Sequence, residues 1–226
     1  MKMHVALILL LMPALCMAKL SFREQNYFIK DNYITRSDYL PDDETKSTDQ
    51  NQDEVYAAAN RIAQKHAVKV VADIGCGSGY KLLKYFSKYH TIGIEIEPNY
   101  SYLTAKYPDR TWVFGDFSVV PNLPKIDILI CADVIEHVVD PDDLLNWINE
   151  FDFEYLVIST PDRDLLPKIQ GSTQCLTGPP KNPHHLREWN VLELKKYLSQ
   201  YFEIVDQFHT VVEWWGQTIV ARKKST

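Results

Sequence analysis

VVADIGCGSGYKLLKYF, residues 70–86, puts three glycines (Gly75, Gly77 and Gly79) into five positions, between an apolar run and a segment with helical spacing. Glycine is poor in strands and in helices, so the turn exists for its backbone. A glycine turn allows tight bending, left-handed φ angles and close approach of N–H groups to a ligand at a helix N-terminus. Upstream, Val68–Ile74 reads as a buried strand; downstream, Leu82, Leu83 and Phe86 share one helical face. Strand, glycine turn and helix open a βαβ unit.

The pattern repeats outward from that turn. His90–Ile96, Arg110–Asp116, Ile126–Ala132 and Tyr155–Thr160 read as four more strands, with helices at Asp53–Lys65, Tyr80–Tyr89, Asn99–Tyr107 and Pro141–Glu150. Residues 161–186 are rich in Pro, Gly and polar side chains and read as a long irregular connection, a feature that is usually functional or disordered. A helix over Glu188–Gln200 follows, and Tyr201–Phe208 and Gln217–Lys223 are spaced to pair as an antiparallel hairpin. The expected fold is α/β: a Rossmann-like, doubly wound, mostly parallel seven-stranded sheet with a C-terminal antiparallel hairpin. Ligands in such sheets sit at the carboxyl ends of the strands.

Composition sets limits. The 226 residues can bury one good core, and 46% apolar with 24% charged residues is globular composition. A net charge of −6 argues against a nucleic-acid partner, since phosphate binding wants a clustered basic face. Residues 1–18 read as a secretory signal or a mis-annotated start: Lys2, the apolar run Val5–Leu15, then Cys16-Met17-Ala18. The run is too short for an ordinary transmembrane helix. Residues 19–54 read as a loop-rich N-terminal extension suited to capping a site, and 55–226 as the main α/β domain. Past the leader the cysteines are Cys76, Cys131 and Cys175, an odd number without a CxxC pair, which points to a reducing compartment.

The strand ends choose the cofactor. The first turn reads G-x-G-x-G after Asp73, not the G-x-G-x-x-G of a dinucleotide site. An acid at that place suits an amino group or a sulfonium better than a pyrophosphate. Glu95 ends the second strand twenty residues after Gly75, where a ribose-diol acceptor belongs; Glu97 reads as a solvated neighbour. Asp116 and Phe117 after the third strand offer an acceptor for an exocyclic amine and a ring to stack on a base.

Together VADIGCGSG, GIEIEP, GDF and ADVIEHVVDP resemble class I S-adenosylmethionine-dependent methyltransferases, over roughly residues 55–222. The motifs GSGYKL, VIEHV, STPDR and NPxHxREW resemble one bacterial subgroup, some of whose members are encoded beside surface-polysaccharide or glycosyltransferase genes. The resemblance implies that Gly75, Gly77 and Gly79 pass beneath S-adenosylmethionine. It also implies that Asp73 lies near the amino-acid end, that Glu95 binds both ribose hydroxyls, and that Asp116 and Phe117 hold the adenine. Asp133 completes the cofactor-binding set.

Methyl transfer to a hydroxyl needs alignment and a base. The candidates are Asp133, Glu136 and His137 after the fourth strand and His184, His185 and Arg187 in the long connection. The subgroup pattern selects His185 as base, since imidazole titrates near neutrality, with Glu136 and His137 as the alternative; Arg187 would hold an anionic acceptor. The bland reading is that His185 caps the next helix and Arg187 pairs with an acid. Asp133, Glu136 and His137 also have the spacing of a metal site in related ubiquinone-biosynthesis O-methyltransferases. The competing reading, a turn and helix cap, is preferred, and no metal ligand is assigned. Trp214-Trp215 read as core or loop cover.

The expected acceptor is an oxygen of a small molecule or glycan, with no nucleic-acid partner and no stable membrane association once any leader is removed. An NAD-dependent oxidoreductase and a non-catalytic nucleotide-binding protein are the alternatives. The expected location is cytoplasmic, where the cofactor is made; a periplasmic or secreted protein is the alternative that the leader suggests.

Overall fold

A computed structural model describes residues 26–37, 45, 51–210 and 216–224. The signal-like residues 1–18 and Trp214-Trp215 lie outside these. Seven strands form one sheet: β1 (Val70–Ile74), β2 (His90–Glu95), β3 (Thr111–Phe114), β4 (Ile126–Ala132), β5 (Phe153–Pro161), β6 (Phe202–Thr210) and β7 (Gly216–Lys223). Their order is β3-β2-β1-β4-β5-β7-β6. The first five are parallel, whereas β7 runs antiparallel between β5 and β6. The expected sheet and its terminal hairpin are therefore present. The chain winds outward one way through β1, β2 and β3, and the other way through β4 and β5. A crevice opens at that reversal, above the carboxyl ends of β1 and β4.

Side-chain parity along the strands builds two cores. Ala72, Ile74, Ile92 and Ile94 face one side, against α4 (Pro141–Glu150), α7 (Val191–Leu198) and the N-terminal Tyr27, Ile29 and Tyr33. Val71, Ile128, Ile130 and Val157 face the other. There they meet α1 (Asp53–Lys65), α2 (Tyr80–Phe86) and α3 (Asn99–Lys106). Both faces are covered, which is why the parallel strands read as continuous apolar runs.

The bounds of α1, α4 and β4 are those that the sequence predicts. At α4 the reason is local: Asp140 caps the helix by accepting the Asp142 N–H at 3.0 Å, and Pro141 opens its first turn. The helix expected over 188–200 instead spans 191–198. Asn190 is its cap, in a reciprocal capping box with Glu193, so His185 caps nothing. The connection expected to be irregular contains two short helices, α5 (Leu166–Gln170) and α6 (Gln174–Thr177).

The described part of the N-terminal extension is a strap along that connection. Ile34 N–H donates to the Thr177 carbonyl at 2.9 Å and Arg36 N–H to the Leu186 carbonyl at 2.7 Å. The Arg36 guanidinium reaches the carbonyls of Pro180 and His185. Among the described residues no helix is long and apolar enough to cross a membrane.

Candidate functional site

At the end of β1 the three turn glycines all adopt left-handed φ, at +67°, +55° and +71°. A Cβ on Gly75 would stand 2.5 Å from a Val134 methyl, so both conformation and space demand glycine there. The turn leads into the N-terminus of α2.

Asp73 is fully buried beneath this turn. Its Oδ2 accepts the Tyr56 hydroxyl at 2.8 Å, while its Oδ1 receives no hydrogen bond. Burial pushes the Asp73 carboxyl up to about 7, against the opposing pull of the Tyr56 hydrogen bond and the Lys81 charge. An orphaned buried carboxylate oxygen is costly unless a donor or a cation meets it.

Glu95, at the end of β2, is clasped by the backbone. Its Oε1 accepts the Gly77 N–H at 2.8 Å and its Oε2 the Ile96 N–H at 2.9 Å. Asp116 is exposed, and hydrogen bonds from the Ser118 hydroxyl and N–H hold its carboxyl below the usual range. Phe117 takes a positive φ and packs edge-on against Trp147, ring centres 5.2 Å apart.

A cavity of about 700 Å³ begins at these residues, lined by Ile96, Asp116, Phe117 and Val134, and extends to His137 and Asp140. Of the expected site residues it carries Asp116, Phe117 and His137, whereas Asp73, Glu95, Glu136 and His185 are not in its lining. Glu136 is completely buried: its Oε2 accepts the Thr160 hydroxyl at 2.9 Å, its Oε1 receives no hydrogen bond, and burial raises its carboxyl well above the ordinary range. His137 Nδ1 lies 3.0 Å from the His184 carbonyl, and its ring stands edge-on to that of His185, centres 4.9 Å apart. His185 Nδ1 lies 2.8 Å from Glu188 Oε1, and its Nε2 lies 2.9 Å from the Asn182 amide nitrogen. The structure thus brings Glu136, His137 and His185 together from two distant segments.

Two expected site residues are otherwise engaged. Asp133, on a left-handed φ of +54°, directs Oδ1 to the Ser159 hydroxyl at 2.7 Å. Arg187 is buried, donating to the carbonyls of Val138 and Val139 at 2.7 and 2.8 Å beneath the Tyr27 ring. It holds the connection in place through carbonyls, and among the described residues no acid forms the ion pair expected of it. Sequence reasoning missed Tyr56, Thr160, Asn182 and Glu188, which orient the others. Thr160 sat inside STPDR, and Asn182 and Glu188 inside NPxHxREW.

The methyltransferase domain family matches residues 46–211. No curated protein matches the chain significantly. Among solved structures, the magnesium protoporphyrin IX methyltransferase of Synechocystis PCC 6803, with S-adenosylhomocysteine bound, superposes with a TM-score of 0.58 at 18% identity, over 77% of this chain and 84% of that one. The N-methyltransferase NodS of Bradyrhizobium japonicum, also with S-adenosylhomocysteine, gives 0.59 at 11% identity, over 82% and 94%. The small RNA methyltransferase HEN1 gives 0.60 at 19% identity, over 77% of this chain and 25% of its own. At these identities the likeness is one of fold, which a magnesium protoporphyrin IX methyltransferase and a small RNA methyltransferase share.

Proposed function

Because the chain belongs to the methyltransferase domain family, we propose that it transfers a methyl group from S-adenosylmethionine to an oxygen of a small-molecule or glycan acceptor. The observation that carries this reading is Asp73, a buried carboxylate under a glycine turn with one oxygen lacking a donor. A ligand that brings positive charge there relieves the cost of burying it. A nicotinamide dinucleotide would bring a pyrophosphate instead, so the oxidoreductase reading is disfavoured by charge.

When bound, S-adenosylmethionine supplies a methyl group already activated on a sulfonium. The chain's own residues do the rest. Asp73 orients the cationic end, Glu95 accepts from the ribose hydroxyls, and Asp116 and Phe117 hold the adenine at the cavity rim. Asp133 fixes the end of β4 through Ser159. Across the cavity, His137 lines the wall with Glu136 and His185 packed beside it, and this cluster is where the proton of an acceptor hydroxyl would be taken up. Arg187 positions that cluster by tying His185's neighbours to the Val138–Val139 backbone.

Equilibrium dialysis with methyl-labelled S-adenosylmethionine and, separately, a labelled nicotinamide dinucleotide tests the cofactor. Only the former should be retained, and incubation with a fractionated extract should place label in alkali-stable ether linkages. Preferential retention of the dinucleotide, or label found on nitrogen or carbon, would sink the proposal.

A further inference from the structure

We propose that the cavity between the loop after β3 and helix α4 takes the body of the acceptor, and that this acceptor is an apolar hydroxy compound carrying an amine rather than a phosphate or a carboxylate. The inference rests on the methyl transfer proposed above and deepens it by naming the substrate class.

The cavity has two unlike walls. Ile96, Phe117, Val120, Val134, Val138 and Val139 make one of them apolar. Val139 is 65% exposed and Val120 39%, so much of this wall meets water, and an apolar ligand would take it out of water. The other wall is one face of α4, where Asp143, Asn146, Trp147 and Glu150 follow at the i, i+3, i+4, i+7 spacing of a helical stripe. The two walls are tied together. Trp147 Nε1 donates to the Val119 carbonyl at 2.9 Å, and the Trp147 ring meets Phe117 edge-on.

The charge of the cavity is one-sided. Asp116, Asp140, Asp143 and Glu150 line it, and among the described residues of the lining none is lysine or arginine. Arg187, the cation that the sequence offered for an anionic acceptor, is not in the lining. It is buried behind the apolar wall on the Val138 and Val139 carbonyls, where its charge offsets Asp140 in part. Asp116 stays ionised, held below the usual range by Ser118, and serves the adenine end in the reading above. Asp143 and Glu150, both exposed on the α4 face, remain for the acceptor.

A phosphate or carboxylate entering this cleft meets charges of its own sign beside a low-dielectric wall, which sharpens the repulsion. An ammonium meets attraction at the same place. His137 lines the same cavity, so the acceptor's hydroxyl belongs at the His137 end and its amine toward Asp143 and Glu150.

The test uses the full chain and three probes that share one hydroxyphenyl ring but differ in tail charge: tyramine (cationic), tyrosol (neutral) and phloretate (anionic). Calorimetry at low salt, with and without S-adenosylhomocysteine, should rank them in that order, tyramine binding at least about tenfold tighter than phloretate. High salt should narrow the gap. The double variant Asp143→Asn, Glu150→Gln, altered only at exposed positions, should bring the three probes within about threefold of one another. Val139→Lys, again at an exposed position, should move the preference toward phloretate. Circular dichroism verifies that both variants are folded. Equal or tighter binding of phloretate by the parent chain, no binding of any probe at millimolar concentration, or a preference that both variants leave intact, overturns the inference. S-adenosylhomocysteine binding is read on the same sample. Its presence beside any of those results sinks only the acceptor class, whereas its absence beside a preference for tyramine sinks only the proposed reaction.

Discussion

At the ends of β1 and β2, side chains hold backbone that lies close along the chain. Glu95 clasps its own neighbour Ile96 and the turn residue Gly77, and Asp73 is met by Tyr56, seventeen residues away. Across the cavity the spans are long. His137 reaches the His184 carbonyl, Arg187 the backbone at Val138 and Val139, and Trp189 Nε1 donates to the Tyr27 carbonyl 162 residues away. The first region assembles once adjacent βα units form. The second exists only after the N-terminal strap, the long connection and α7 have all packed. Damage to the first should therefore show as lost affinity, and damage to the second as lost stability.

Trp189→Ala is the harshest test of that separation. Trp189 is fully buried, stacked on Tyr197 at 6.0 Å, and its carbonyl accepts from Gln217 and Arg163. Removing the ring should cost about 3–5 kcal/mol in urea denaturation. S-adenosylhomocysteine affinity of the remaining folded protein should stay within about threefold of the parent. A collapse of affinity would show that the two regions fold as one unit and break the comparison.

Glu95→Ala probes the opposite side. Loss of a charge-assisted bond to the ribose diol should weaken cofactor binding by about 1.5–3 kcal/mol, with a smaller fall in stability than at Trp189. Unchanged affinity by calorimetry in the folded variant would remove Glu95 from the ribose site.

The gentlest effect is a gradient with pH, carried by Asp73. Burial raises its carboxyl to about 7 from an unfolded value of 3.8, so the free folded protein keeps a proton that the unfolded chain has lost. Between about pH 4 and 7 the native state thus binds more protons. Stability falls as pH rises through that window, by up to about 1.4 kcal/mol per unit, and levels off above it. A cationic cofactor favours the ionised carboxylate, so its affinity should run the other way, gaining up to about tenfold per unit from pH 5 to 7. Asp73→Asn should flatten the affinity profile and lessen the slope of the stability profile, to which the buried Glu136 also contributes. A cofactor affinity independent of pH would mean that no positive charge sits at Asp73.

Much of the architecture was written locally. Alternating apolar runs and helical faces, the Asp140-Pro141 start of α4 and the glycine turn each depend on neighbours within a few residues. The strand-terminal acids Asp73 and Glu95 were likewise legible, because a parallel sheet puts the end of every strand at one edge. Their hydrogen-bond partners were not.

Tertiary packing decided what short-range rules left equal. Glu188 has the propensity to begin a helix, yet it is buried against His185, and the helix starts past it under Asn190. Asp133 has the spacing of a partner for Glu136 and His137, yet a left-handed backbone turns its carboxylate to Ser159. Arg187 has the charge to hold an anion, yet two carbonyls and the Tyr27 ring enclose it. Propensity, capping and strand-end position are set by the nearest residues, so the sequence alone determined the fold and the placing of Asp73 and Glu95 at strand ends. A buried polar group must take whichever partner packing brings within about 3 Å, and for His137 and Arg187 that partner lay some fifty residues away.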